Sequence, residues 1–144
     1  MRRASMACSR NRSKYPDNIV NNLTCGMIYT TDRRYADAHA VYDRILAVDA
    51  NNSRVHYWRG LTYLKQNQLD PAKAAFTTYL ASGHLEPYQR SYAHLRLGQV
   101  QARQRHYALA VQSYQAAVKV DGNKQAKAAI AKLEERKKEG KITW

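Results

Sequence analysis

Acid is scarce in this chain: 11 Asp and Glu stand against 24 Lys and Arg in 144 residues, a formal net charge of +13. Proline occurs three times and phenylalanine once, although there are 11 tyrosines. Cysteine is limited to Cys8 and Cys25. One lies in a basic leader and the other in an expected helix, which gives neither a disulfide framework nor a zinc spacing. They read as reduced structural thiols, which fits a reducing compartment. No apolar run approaches the roughly eighteen residues of a membrane span. Phosphate loops, dinucleotide fingerprints and serine elbows are absent, and no alternating run flanked by hairpin turns signals a strand.

The basic excess is placed at the two ends. Arg2, Arg3, Arg10, Arg12 and Lys14 occur before any acid, and seven bases from Lys124 to Lys141 face Glu134, Glu135 and Glu139. Such runs read as tails or solvated faces rather than one central patch. Residues 1–16 are expected to form an unstructured basic leader. They lack the apolar stretch of a secretory signal, so the chain is placed in the cytoplasm, with the mitochondrial matrix as the alternative if the Arg- and Ser-rich leader is a presequence.

What the chain has is a repeat. Gly26 is followed by Tyr29, Tyr35, Ala38 and Tyr42, and Gly60 by Tyr63, Leu69, Ala72 and Phe76, at the same four offsets. A third copy runs from Gly98 to Tyr107, Ala110 and Tyr114, with Gln101 in place of the first tyrosine. Each unit reads as two helices. They are expected near 18–31 and 34–48, near 52–66 and 71–82, and near 87–103 and 106–120. Asn52 or Ser53, and then Asp70-Pro71, supply starting signals in the second unit. Between the second and third units there are four extra residues, about one helical turn. They are expected to lengthen the third unit's first helix back to Pro87, a favoured first helical position.

These residues resemble the tetratricopeptide repeat, whose 34-residue unit favours a small eighth residue, Tyr at the eleventh place, Ala at the twentieth and an aromatic at the twenty-fourth. The units fall at 19–52, 53–86 and 91–124, within a repeat region of 17–124. The resemblance implies an all-α, right-handed helical-hairpin solenoid of three repeats. The tryptophan place of the family holds Asn22, His56 and His94, and the closing proline is replaced by Ala50, His84 and Gly122. The glycines then have a reason. A first-helix residue facing the second helix must be small where backbones approach most closely, which outweighs the ~1 kcal/mol cost of glycine in a helix. From 125 to 144 the chain reads as a capping helix and basic tail, with Ala126, Ala129, Ile130 and Leu133 on one stripe. The sequence assigns no role to Trp144.

Chemistry for catalysis is missing: the carboxylates scatter over turns and helix starts, and the histidines do not pair. The chain is read as a non-enzymatic interaction scaffold or adaptor that needs no cofactor and no metal. The family lines its concave groove through the second, fifth, ninth, twelfth and thirteenth places of each unit. Carried over, these are Val20, Leu23, Met27, Thr30 and Thr31 in the first unit. The second contributes Arg54, Tyr57, Leu61, Leu64 and Lys65. The third contributes Tyr92, Leu95, Gln99, Ala102 and Arg103, with Arg96 beside them. Such a surface suits a protein or peptide with apolar and acidic residues, or a subunit contact in a larger assembly. The family's clamp for a terminal carboxylate falls here on Leu23, Met27, Trp58, Tyr92 and Arg96, of which only the arginine fits, so that subclass is set aside. Weak, charge-driven nucleic-acid binding is the rival reading.

Overall fold

The computed structural model describes residues 6–8 and 19–144, the side chains of 19–21 excepted. Beyond a helical turn at 6–8, the described residues form seven helices and no strand. These are α1 (Ile19–Thr31), α2 (Tyr35–Val48), α3 (Ser53–Lys65), α4 (Leu69–Leu80), α5 (Pro87–Arg103), α6 (Tyr107–Asp121) and α7 (Lys124–Lys138). The expected leader at 1–16 lies outside the described residues except at that turn. Helix α4 begins at Leu69, two residues ahead of the expected start at Pro71. Proline in a first turn lacks only an N–H that has no intrahelical acceptor, so the helix extends upstream of it. As expected, Pro87 opens α5, where the Glu86 N–H donates to Gln89 Oε1 at 2.9 Å. The chain forms two compact units, residues 1–68 and 69–144.

The same turn recurs after α1, α3 and α5. Arg33, Asn67 and Arg105 each take a left-handed conformation, with φ of 60°, 57° and 64°. The next residue then closes back on the helix: Arg34 N–H on Tyr29 O at 2.8 Å, Gln68 on Tyr63 at 2.9 Å, His106 on Gln101 at 2.9 Å. These bonds satisfy carbonyls that a helix end leaves open. An arginine in this conformation bears roughly 1–2 kcal/mol that glycine avoids.

In the first unit, α1 and α2 form a hairpin around Tyr29, Ala38, Val41, Tyr42 and Ile45, and Val55 of α3 completes the core. A Cβ built on Gly26 would lie 2.5 Å from Tyr42 Cε1. Tyr42 is wholly buried, so its hydroxyl needs a partner. It finds Thr62 Oγ1 at 3.1 Å, and Thr62 lies 2.7 Å from Thr30 Oγ1, itself 2.9 Å from the Gly26 carbonyl. One consistent set of protons runs Tyr42 to Thr62 to Thr30 to the Gly26 carbonyl. Burial raises the Tyr42 pKa, and the bonds to Thr62 and Thr30 and the charge of Arg59 oppose the rise.

Cys8 and Cys25 form a disulfide, which corrects the reading of two reduced thiols. The turn at 6–8 returns to α1, bringing the two Cα atoms to 5.5 Å, and both side chains are buried in the core beside Leu23. Sequence spacing did not show that return. Closing a loop of 17 residues restricts the unfolded chain by about 3 kcal/mol in the chain-entropy account.

In the second unit α5 packs against α4 and α6, and α7 packs on α6. Gly98 repeats the close contact: a Cβ there would sit 2.5 Å from Tyr114 Cε1. Buried Gln101, standing in the usual tyrosine place, accepts from Ser113 Oγ at 2.6 Å. Buried Ser91 donates to Asp121 Oδ1 at 2.6 Å and accepts from Asn123 Nδ2 at 3.0 Å. Asn123 also caps α7, its Oδ1 accepting from Ala126 N–H at 2.9 Å. Helix α7 buries Ala126 and Leu133, and the chain beyond it returns Ile142 to the same core.

Gly98→Ala is expected to destabilise the protein by about 1–3 kcal/mol, because the buried Tyr114 ring must move, despite alanine's better helix propensity. Arg105→Gly is expected to stabilise it by up to ~1 kcal/mol by relieving the left-handed turn. Urea midpoints of the two variants against the parent check both signs.

Candidate functional site

The expected contact residues divide into core and surface. Leu23, Leu64 and Leu95 are 9, 7 and 1% exposed, which removes them from the set of contact side chains. Leu23 packs beside the disulfide, and Leu95 packs among Ala110, Val111 and Tyr114. A helix stripe wide enough to bury one flank turns these leucines inward while their neighbours stay out. The side chain of Val20 lies outside the described residues.

In the first unit Met27, Tyr57 and Leu61 are half-buried, and Arg54 and Lys65 are exposed. Tyr57 meets Trp58 edge-on, ring centroids 5.5 Å apart. At the turn end of α1 and α3 a cleft of about 610 Å³ is lined by Thr30, Thr31, Arg33, Tyr35, Lys65 and Gln66. The structure thus brings together three expected positions, Thr30, Thr31 and Lys65, with three that sequence reasoning missed. Arg33 and Gln66 belong to turns and Tyr35 opens α2, places that a list of first-helix positions omits. Arg33 and Lys65 form no ion pair among the described residues. Two other cations near α2 are engaged: Arg34 with Asp37 at 2.8 Å, and Arg59 with Asp43 at 2.6 Å and the His39 carbonyl at 3.1 Å.

In the second unit α5 carries a continuous exposed face. Tyr88 is 59% exposed and Tyr92 40%, one helical turn apart. Half-buried Arg96 follows at the next turn, with its Nη1 donating to Gln99 Oε1 at 3.1 Å. Arg103 is exposed near the end, beside half-buried Ala102. Tyr88 was missed because it lies in the extra turn ahead of the repeat, though its spacing of four from Tyr92 was legible. His94 on α5 and His56 on α3 both have their pKa lowered from 6.5, first by burial, then by the charges of Arg90 and Arg59 respectively. Among the described residues no His, Cys, Asp and Glu cluster could hold a metal, and no helix is long and apolar enough to cross a membrane.

A hairpin with a small residue beneath an aromatic, repeated in register, defines a helical-repeat protein. Two tetratricopeptide-repeat family models match residues 29–95 and 91–124. The chain belongs to the tetratricopeptide-repeat family. No curated protein matches it in sequence. Among solved structures it is similar to the N-terminal domain of stress-induced protein-1 (STI-1) from C. elegans, with a TM-score of 0.73 and 16% identity over 82% of this chain and 95% of that one. It is also similar to the second such domain of human RPAP3, solved with the HSP70 peptide SGPTIEEVD: TM-score 0.67, 24% identity, 78% of this chain and 92% of that one. The Arabidopsis OM64 domain gives 0.69 and 18%, covering 81% and 94%. At these identities the likeness is one of fold.

The lowered histidine pKa values set a pH dependence. The unfolded chain binds these protons more readily than the fold, so their contribution to stability is full above about pH 6.5 and is lost as pH falls through the folded values. A His56→Asn/His94→Asn variant is expected to show a smaller loss of urea midpoint than the parent between about pH 7.5 and pH 5.

Proposed function

We propose that the protein is a non-enzymatic interaction module whose α5 face binds a protein or peptide with apolar and acidic residues. The observation that carries this reading is the stripe of Tyr88, Tyr92, Arg96 and Arg103 on one exposed helix face. Two exposed tyrosines give large, stiff contact area, and arginines beside them select carboxylates; Tyr and Arg are the residue types that most often dominate binding energy. Arg54, Tyr57 and Leu61 on α3 offer the same chemistry in the first unit. The family is generally one of scaffolds without catalysis. The human RPAP3 domain, similar in fold, holds a peptide with three acidic residues, SGPTIEEVD. The way that this chain would hold an acidic segment differs from a terminal-carboxylate clamp, since Leu23 and Met27 offer no donor and Leu23 is buried.

The test is affinity capture of partners by the full chain, repeated with Tyr92→Ala/Arg96→Ala and with Tyr57→Ala. The α5 variant is expected to weaken the captured partner at least about tenfold in a direct titration, a loss of ~1.4 kcal/mol. Unchanged binding removes the α5 face. A random single-stranded RNA serves as the rival ligand: tight, sequence-dependent binding at physiological salt would replace this reading with nucleic-acid recognition.

A further inference from the structure

The cleft beside α1 has a second copy in the chain, and that copy is occupied. Moving 72 positions along converts Gly26 to Gly98, Tyr42 to Tyr114 and Arg33 to Arg105. The same step converts Tyr35 to Tyr107 and Lys65 to Lys137, two lining residues of the cleft that meet there from separate helices. At the second copy the partly exposed indole of Trp144 touches both. Its ring centroid is 6.4 Å from that of Tyr107, and Lys137 Nζ stands 4.3 Å over its face. Buried Ile142, two residues earlier, anchors the strand of chain that delivers it. The second unit thus sets an indole against a Tyr–Lys pair of the same register.

We infer that the open cleft of the first unit binds a tryptophan side chain flanked by a carboxylate, from an acidic segment of a partner protein. The aromatic preference follows from the occupied copy, in which a cation over an indole face and a neighbouring ring hold the side chain. The acidic preference follows from the lining. Arg33 and Lys65 carry charge without an ion pair among the described residues, and the Gln66 carbonyl is taken by His39 Nε2 at 2.8 Å, leaving its amide N–H groups to donate. Tyr35 adds a phenol to the same wall, while the Thr31 hydroxyl donates to the Met27 carbonyl at 3.1 Å. This inference stands apart from the α5 reading, because its residues lie on α1, α2 and α3 and their turns.

The test is fluorescence anisotropy with the full chain and a labelled, amidated peptide, Gly-Ser-Asp-Trp-Asp-Ser-Gly. Control peptides replace the tryptophan with alanine or both aspartates with asparagine. Saturable binding is expected, weakened at least about tenfold by either control and by Tyr35→Ala or Lys65→Glu, and changed less than about twofold by Lys119→Ala, which removes an exposed cation elsewhere. Lys65 is exposed, so its variant reads the cleft even if the tyrosine variant unfolds. Trp144→Ala, which removes the indole at the second copy, is expected to raise the stoichiometry by about one peptide. The inference is overturned by an absence of saturable binding, by equal binding of the controls, by an equal loss in Lys119→Ala, or by a stoichiometry that Trp144→Ala does not raise.

Discussion

The packing of the α1–α2 and α5–α6 hairpins follows from a tyrosine ring lying over a glycine. At Gly26 and at Gly98 the second helix brings an aromatic ring so close that a single Cβ would overlap it. Core side chains are dense enough that such a contact fixes how two helices cross and where they stand in register. Once the crossing is fixed, the opposite flank of the first helix must face outward, and the residues there are released from core duty. In α5 that flank carries Tyr88, Tyr92 and Arg96. The ring also imposes a debt of hydrogen bonding. Tyr42 meets it through Thr62 on the following helix, so the close contact within one hairpin is tied to the next helix by a polar link. For Tyr114, burial pushes the phenol up to about 12 against the opposing charge of Arg103.

The repeat was legible because steric need leaves a residue-type signature. Only small residues tolerate the crossing, and only large planar ones fill the space opposite, so Gly26 with Tyr42 and Gly98 with Tyr114 can be read from spacing. Helix ends were legible for a similar local reason: Pro87 and Asn123 act within a turn of where they stand. Side-chain direction was less legible. Family positions carry Leu23, Leu64 and Leu95 into the same set as Tyr92 and Lys65, yet an amphipathic helix hides a wide stripe, and a leucine on its edge turns inward. The cysteine pair and Trp144 were not legible at all. Both depend on an end segment folding back over a repeat, through Ile142 in one case and the turn at 6–8 in the other. No periodicity encodes that return.

Register equivalence does not mean chemical equivalence, and the differences are informative. The place of Tyr29 is taken by Gln101, a polar group that would cost about 1–3 kcal/mol if buried without a partner. It is tolerated because Ser113 supplies one at 2.6 Å. The place of Thr30, whose hydroxyl meets Thr62 and the Gly26 carbonyl, is taken by Ala102, which has no hydroxyl. Substitutions thus come in compensated sets, while the glycine–aromatic contact is kept. The frame is what the repeat preserves, and its lining is what varies.

The distribution of charge separates stability from recognition. Three ion pairs are formed among the described residues, and each has at least one well-exposed partner. Exposed pairs of this kind contribute about 0–1 kcal/mol, so the fold rests on apolar contact rather than on its many cations. Many of those cations stand at the surface. Placed beside tyrosines, as Arg96 is beside Tyr92, they act over roughly 8–10 Å at physiological salt, within the reach of a partner's adjoining side chains but not across a domain. Apolar and aromatic area then supplies affinity that survives salt, and the guanidinium groups decide which sequence of acids is accepted. A surface built this way can change partners by exchanging one or two exposed residues, because none of them supports the glycine–tyrosine contact beneath.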